Sequence, residues 1–244
     1  MSKKKVTDAK NASIFLKNIK SRSLVVEVPK DDEAFIRNPI SRSMHRCMEK
    51  YPCWKMGNTM PCESILERQV YTLFDVAYMI DKFFVQPAKI KYRIDGVWYV
   101  HYPDAFYVSK KKKKFIEIKY SKYARDPEVE KRTAFLSKEL PQFGIDYEVL
   151  TEESIEQEPR LGNARYIHRN GWVRVSKAER DIFLHKYAKQ GYILWGDVKS
   201  NKVPPLNHSK VCNLILEGYL KIPMREVWDD STRLTFVEKK KEGV

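Results

Sequence analysis

Residues 88–120 read AKIKYRIDGVWYVHYPDAFYVSKKKKKFIEIKY, and this stretch decides the predicted fold. Three runs within it, 88–94, 98–108 and 115–120, are rich in the β-branched and aromatic residues typical of strands. Asp95 and Gly96 separate the first two runs, and an Asp-Gly pair between alternating runs indicates a β-hairpin. The sequence therefore predicts three consecutive strands.

Helices are predicted on both sides of these strands. From Glu63 onward, apolar residues recur at spacings of three and four, which is typical of one helix face. They are Leu66, Val70, Leu73, Phe74, Ala77 and Ile80. Asp126 and Pro127 provide an N-cap and a first-turn proline for a second helix, and residues 147–150 form a further strand. The order helix, three strands, helix, strand indicates an α/β or α+β fold.

The two ends of the chain differ in character from this middle part. Residues 1–40 mix lysines, acidic residues and one β-like run at 23–28, which predicts a basic N-terminal arm with at most one strand. Residues 151–163 are acidic, contain Pro159 and Gly162 and have no sustained apolar period, so we place a domain boundary near residue 160. The first domain after the arm then covers residues 41–162, and a second domain covers 163–244.

The second domain has the signals of a winged helix. Ser176 and Glu179 form a capping box that opens a helix, and Gly191 follows that helix as a stop signal. A second helical run covers 209–220, and an alternating stretch covers 233–237. Helices followed by a short β-ribbon predict a winged-helix-like α+β domain.

The chain is strongly basic. Its 244 residues carry 46 Lys and Arg against 32 Asp and Glu, a formal net charge of +14, and 43% are hydrophobic. This composition excludes a collagen-like or disordered chain. The positive charge favours a polyanionic partner, nucleic acid above all, although membrane surfaces and acidic proteins attract the same charge.

The sequence predicts a soluble, cytoplasmic protein with reduced thiols. No apolar run approaches the roughly 18 residues of a membrane span, and the initial lysines are not followed by the apolar segment of a signal peptide. The cysteines, Cys47, Cys53, Cys62 and Cys212, are too scattered for a disulfide scaffold. His45 with the first three could supply zinc ligands, but they lack paired C-x-x-C spacing, so a structural zinc site is not favoured.

Carboxylates and a lysine are predicted to converge on the central strands. Strand alternation places Glu117 and Lys119 on one face of the FIEIK run. Asp104 lies among aromatic residues and valines, where a carboxylate must be solvated, paired or bound to a cation. Glu67 adds a third carboxylate from the preceding helix.

Such oxygen ligands suit magnesium, for which manganese could substitute. Magnesium usually binds one or two carboxylates and keeps waters beside substrate phosphate oxygens. A neighbouring lysine can orient the attacking water and offset charge that develops on the phosphate. A helical Glu, a Pro-Asp pair and a Glu-x-Lys strand are the arrangement of metal-dependent DNA nucleases of the restriction-endonuclease type. The alternative is a chance match, with Glu117 and Lys119 forming a surface ion pair.

About residues 55–160 resemble the TnsA family, the endonuclease subunit of heteromeric cut-and-paste transposases. The motifs that carry the resemblance stand in a shared order. They are Ser-Ile-Leu-Glu at 64–67, Gln-Pro at 86–87, Tyr-Pro-Asp at 102–104, Glu-Ile-Lys at 117–119 and Val-Leu-Thr-Glu at 149–152. Each motif alone is weak, whereas their joint order is specific.

The resemblance implies an α/β fold with a restriction-endonuclease-like core, a mixed sheet flanked by helices, and a winged-helix-like C-terminal domain. It implies that Glu67, Asp104 and Glu117 bind the metal and form the active site with Lys119, while Glu63 is a less favoured neighbour. The implied reaction is hydrolysis of one DNA strand, on the 5′ side, at each transposon end. A recombinase subunit and an ATP-dependent regulator are the implied partners.

Five consecutive lysines separate the strands that bear Asp104 and Glu117. They are Lys110, Lys111, Lys112, Lys113 and Lys114. We expect this run to lie near the active site and to contact DNA phosphates, and the alternative is a solvated turn.

Two other functions stay open. One is a stand-alone restriction, repair or phage nuclease, against which the additional C-terminal domain counts. The other is a non-catalytic assembly subunit that only binds DNA, against which the intact set of carboxylates and lysine counts.

Overall fold

The computed structural model describes residues 12–30, 33, 36 and 49–238. They form a mixed α/β structure in which antiparallel and mixed sheets are flanked by helices. His45 and Cys47, two of the four candidate zinc ligands, lie outside the described residues. Within these residues, no helix combines the length and the apolar character needed to cross a membrane.

The chain divides into two compact units. The first comprises Met1–Arg68 and Ile80–Ile155, and the second comprises Gln69–Met79 and Glu156–Val244. The change from the first unit to the second after Ile155 falls within the acidic segment, a few residues before the boundary predicted near residue 160. Residues 69–79 belong to the second unit, although the residues on either side of them belong to the first. The sequence did not predict this, because it depends on contacts between residues distant in sequence.

The first unit contains most of the strands. They are β1 (Ile19–Lys20), β2 (Leu24–Glu27), β3 (Glu49–Cys53), β4 (Asn58–Cys62), β5 (Ile80–Val85), β6 (Lys89–Ile94), β7 (Val97–His101), β8 (Ala105–Ser109), β9 (Lys113–Ile118) and β10 (Asp146–Leu150). Its helices are the first turn of α1 (Ile65–Val76), then α2 (Ser121–Ala124), α3 (Pro127–Glu139) and α4 (Glu152–Ile155). Short 3₁₀ turns cover Ala12–Ile14 and Leu140–Phe143.

An antiparallel sheet with strand order β1-β2-β6-β7 includes part of the predicted N-terminal arm. Residues 12–30 contribute two strands to this sheet, where the sequence predicted at most one. Strand β1 has only two residues, which is too short for a periodic pattern, and it is held by pairing with β2. The hairpin between β6 and β7 is confirmed: Asp95 and Gly96 have φ values of 50° and 83°, the positive φ that a type I′ turn requires.

A mixed sheet with strand order β10-β9-β8-β5 forms the centre of the first unit. Strands β9 and β10 run parallel, whereas β8 is antiparallel to both β9 and β5. Phe83, Phe106 and Phe115 are fully buried on these strands. Helix α3 begins as predicted, because the Asp126 side chain accepts a hydrogen bond from the Glu128 N–H.

Two predicted elements are divided in the structure. The predicted strand 98–108 is two strands in different sheets, and the break contains Pro103, which has no N–H to donate to a ladder. The predicted helix that reached Ile80 ends at Val76, and Ile80 begins β5. Pairing of β5 with β8 therefore overrides the helical spacing of the apolar residues.

The second unit contains the rest of α1 and the C-terminal elements. These are α5 (Arg160–Asn170), α6 (Lys177–Tyr187), β11 (Tyr192–Leu194), α7 (Trp195–Lys199), α8 (His208–Leu216), β12 (Leu220–Lys221) and β13 (Arg233–Phe236). The capping box of Ser176 and Glu179 is confirmed at the start of α6. The predicted helix 209–220 stops at Leu216, since Gly218 has a φ of 71° and Leu220 joins an antiparallel sheet with order β11-β13-β12.

Candidate active site

The hairpin of β8 and β9 brings two of the predicted site residues together. Asp104 directly precedes β8, whose first residue pairs with Ile116 of β9. One oxygen of Asp104, Oδ2, accepts a hydrogen bond of 2.7 Å from the Ile118 N–H. Because Glu117 lies between Ile116 and Ile118, the two carboxylates occupy the same end of the hairpin.

Negative charge accumulates at this end of the sheet. Burial raises the pKa of Asp104 well above its ordinary value, and the carboxylates of Glu117 and Glu67 raise it further. The Ile118 N–H and the Lys119 ammonium act in the opposite direction and lower the Asp104 pKa. A cation bound here would relieve the repulsion among these carboxylates.

Glu117 is a buried carboxylate with an uneven set of partners. Glu117 as a whole is only 5% exposed. The Oε1 atom lies 3.1 Å from Lys119 Nζ and 3.1 Å from Arg132 Nη2. The Oε2 atom is buried and has no hydrogen-bond partner among the described residues. Glu117 and Lys119 therefore share a face, as strand alternation predicted. They also form an ion pair, as the alternative interpretation had it, but the Glu117 side chain in this pair is buried.

His101 and Tyr147 complete the surroundings of Glu117. His101 Nε2 lies 3.4 Å from Glu117 Oε2 and 3.1 Å from the Tyr147 hydroxyl. Burial, and then the nearby charges of Arg132 and Lys119, hold the pKa of His101 well below its ordinary value, so the imidazole is neutral. In the tautomer protonated at Nδ1, Nε2 accepts the Tyr147 proton and has none to donate to Oε2. In the other tautomer Nε2 carries the proton, and this N–H faces Glu117 Oε2 at 3.4 Å and the Tyr147 hydroxyl at 3.1 Å.

Sequence reasoning missed His101, Arg132 and Tyr147. His101 stands three positions before Asp104 in a strand of apolar and aromatic residues, and this isolated polar residue was a usable signal. Arg132 belongs to α3 and Tyr147 to β10, and neither has a local pattern that points to Glu117. Their approach depends on the parallel pairing of β10 with β9.

Glu67 contributes charge to the site from the first turn of α1. Its Oε2 accepts a hydrogen bond from the Glu63 N–H at 2.9 Å, and its Oε1 contacts the Ser64 hydroxyl at 3.2 Å. The Ser64 hydroxyl in turn accepts the Glu67 N–H, which makes these residues a cap for the helix start. Glu63 accepts a hydrogen bond from the Gln86 side chain at 2.9 Å. Glu67 thus combines a capping role with its electrostatic effect on Asp104.

The five lysines lie at the far end of the β8–β9 hairpin. The turn spans residues 110–112, and β9 begins at Lys113. Lys112 precedes Glu117 by five residues, about 16 Å, and Lys114 precedes it by three, about 10 Å, at ~3.3 Å per residue. The run is therefore separated from the carboxylates rather than beside them. Lys113 Nζ donates to the Phe15 carbonyl, and Lys114 Nζ pairs with Glu148 at 2.8 Å. For Lys110 and Lys111 the structure shows exposed side chains.

The residues at this site fit a magnesium ion that is bound mainly through water and substrate. Among the residues that the structure describes, no group of three or more His, Cys, Asp or Glu side chains is arranged to hold a metal ion. Magnesium in phosphate-processing sites commonly takes only one or two carboxylates. Asp104 and the unsatisfied Oε2 of Glu117 supply that number.

No model of a known protein family matches this chain, and no curated protein matches it.

Proposed function

We propose that this chain is a metal-dependent DNA endonuclease whose active site contains Asp104, Glu117 and Lys119. The observation that carries the proposal is the buried Glu117 carboxylate, which has one oxygen held by cations and the other without a hydrogen bond. A buried polar atom without a hydrogen-bond partner calls for an explanation, and a catalytic role or a bound ion is one of the recognised explanations. Among the buried atoms of this kind in the described residues, Glu117 Oε2 is the carboxylate oxygen. The basic net charge of +14 supports a polyanionic substrate.

The reaction we propose is hydrolysis of a phosphodiester bond. A magnesium ion held by Asp104 and Glu117 would polarise the phosphate and lower the pKa of a bound water. The Lys119 side chain is 29% exposed, and its Nζ lies 3.1 Å from Glu117 Oε1. The ammonium can therefore face both the carboxylate and a phosphate. There it would offset developing negative charge. Arg132, on α3, donates a hydrogen bond to Glu117 Oε1 and so holds the carboxylate in place.

The finer assignment follows the resemblance to the TnsA family. We propose a restriction-endonuclease-like core in the first unit and a winged-helix-like second unit. We further propose that the protein cuts the 5′ side of transposon ends together with a recombinase subunit and an ATP-dependent regulator. The mixed β10-β9-β8-β5 sheet, together with the helices of the first unit, supports the proposed nuclease core. The helices and the three-stranded β11-β13-β12 sheet of the second unit support the proposed winged-helix-like domain. Glu67 is the proposed third carboxylate, through its effect on Asp104.

A strand-specific cleavage assay tests this proposal. DNA ends labelled at either 5′ or 3′ termini are incubated with magnesium, with and without candidate recombinase and regulator subunits. We expect Asp104→Asn and Glu117→Gln to lower the cleavage rate by about 1000-fold or more, since a metal ligand is worth several kcal/mol. Glu130→Gln is the matched control, because Glu130 is an exposed carboxylate in the same unit.

Three results would contradict parts of the proposal. Wild-type cleavage by either Asp104→Asn or Glu117→Gln would remove this active site. Efficient site-specific cutting by the isolated chain would favour a stand-alone nuclease. DNA binding without cleavage under every condition would favour the non-catalytic subunit. Magnesium-dependent stabilisation gives a second readout: its melting temperature shift should be present in wild type and absent in Asp104→Asn.

A further inference from the structure

The β1-β2-β6-β7 sheet has one face that carries basic and aromatic side chains. Cross-strand partners in a sheet project to the same side. The pairings of Lys20 with Val25, Val25 with Lys91 and Lys91 with Val100 therefore form one continuous row. Arg93 and its partner Trp98 lie on the same side, two residues further along their strands. We call this side the outer face.

The opposite side of this sheet faces the core of the first unit. Leu24, Val26 and Ile90 are fully buried there. Tyr92 stacks on Tyr99 with a ring separation of 5.4 Å. Tyr92 also contacts Phe135 of α3. The outer face is thus the side that does not contribute to this core.

Two large apolar side chains of the outer face are exposed. Trp98 is 48% exposed and Val100 is 53% exposed. Trp98 is the aromatic side chain among them, and its exposed indole offers a flat surface on which a planar group can stack. The cross-strand partner of Trp98 is Arg93, and that of Val100 is Lys91, so the patch is mixed rather than purely hydrophobic.

The outer face carries a net positive charge. Lys20, Lys89, Lys91 and Arg93 supply four cations, and Glu27 supplies the one carboxylate in these rows. Glu27 pairs with Lys91 at 2.6 Å and with Lys89 at 3.8 Å. The cations of β6 alternate along the strand, so they repeat about every 6.6 Å. This repeat is comparable to the spacing of phosphates along a nucleic-acid strand.

We propose that the outer face binds single-stranded nucleic acid. The β6 cations and Lys20 contact successive phosphates, and a base stacks on the exposed indole of Trp98. Sheets that combine a basic surface with aromatic side chains bind single strands in this way. A base within a duplex is stacked on both sides, so its face is closed to the indole. The proposal does not depend on the proposed nuclease activity, because it concerns a different face of the unit.

Fluorescence anisotropy with a labelled oligothymidylate tests the proposal. The full chain is used with EDTA present, so no magnesium-dependent cleavage contributes. We expect Trp98→Ala to weaken binding by about five- to 150-fold, the range that corresponds to loss of one base stack. The double variant Lys20→Gln and Arg93→Gln should lower the slope of log affinity against log salt by about 1.4, or 0.7 per phosphate contact.

Matched controls separate this face from general basic charge. Trp172→Ala removes a similarly exposed tryptophan of the second unit, and the double variant Lys177→Gln and Lys189→Gln removes two exposed lysines there. Both controls should bind the oligonucleotide as wild type does.

Equal losses in the controls and the outer-face variants would overturn the proposal. So would unchanged binding in the outer-face variants. Base stacking would be excluded if a duplex of the same length bound as tightly and if Trp98→Ala reduced its affinity by the same factor. Displacement of the oligonucleotide by phosphatidylserine vesicles, with the same dependence on Trp98, would identify a membrane surface instead. A nuclease-inactive protein that binds the oligonucleotide as expected would contradict only the proposed function.

Discussion

Replacement of Arg132 by Met should destabilise the first unit through the charge that it leaves behind. The Glu117 side chain is only 6% exposed, and its Oε1 lies 3.1 Å from both Lys119 Nζ and Arg132 Nη2. Removing one partner of a buried ion pair typically costs about 3–5 kcal/mol, because the other charge stays buried without compensation. Lys119 remains beside Glu117 Oε1, so we expect the low end, about 3 kcal/mol.

A double-mutant cycle measured by urea unfolding tests this reasoning. Arg132→Met, Glu117→Gln and the double variant are compared with the wild type. Once Glu117 has lost its charge, removal of Arg132 should cost much less, which gives a coupling free energy of about 2 kcal/mol. Arg125→Met is the matched control. Arg125 and Glu153 form a comparable pair at 3.2 Å, but their side chains are 73% and 62% exposed, so we expect a cost below about 1 kcal/mol.

Equal costs for Arg132→Met and Arg125→Met would refute the reasoning, since burial would then make no difference. A strictly additive cycle would also refute it, because Arg132 would act through packing and not through Glu117. The same variants report on the proposed site. If Arg132 positions Glu117, Arg132→Met should lower magnesium-dependent stabilisation as well as cleavage.

Two further predictions concern the capping box and the lysine turn. The Lys210 ammonium and the Ser176 hydroxyl and N–H lower the pKa of Glu179 to about 2, so its contribution to stability is complete above about pH 4.5 and is lost as the pH falls toward 2. Glu179→Gln should therefore flatten the pH dependence of unfolding in that window, and an unaltered pH profile would contradict the assigned pKa. Replacing Lys110 and Lys111 with Ser should lower the salt slope of duplex binding by about 1.8 if both contact phosphates. An unchanged slope, measured by titration at several salt concentrations, would identify a solvated turn.

Local signals predicted the parts of the fold that local interactions determine. The Asp95-Gly96 hairpin, the Asp126 cap and the Ser176 capping box each depend on residues within a few positions of one another. By contrast, the start of β5 was predicted as helix, because Ile80 continues the helical spacing of α1. Only pairing with β8, more than twenty residues away, makes this segment a strand.

The candidate site divides in the same way. The pair of Glu117 and Lys119 follows from strand alternation, and the approach of Asp104 follows from the β8–β9 hairpin. Arg132 and Tyr147 come from elements that reach Glu117 through tertiary packing, so no spacing in the sequence reveals them. The lysine run was expected beside the site because it joins the same two strands. Strand length decides its position instead, since each residue of β9 adds about 3.3 Å.

Helix α1 shows how one predicted element can serve two units. Its first turn carries Glu67 and belongs to the first unit, whereas Gln69–Met79 belongs to the second. Within the second unit, the fully buried Asp75 is 3.2 Å from His168 Nε2 on α5. A chain truncated at residue 162 would retain Asp75 but lose its contact with His168, and removing one partner of a buried polar group is destabilising. The two units therefore cannot be separated cleanly at the predicted boundary, so the contribution of the second unit to the proposed function is better tested with surface substitutions in the full chain than by truncation.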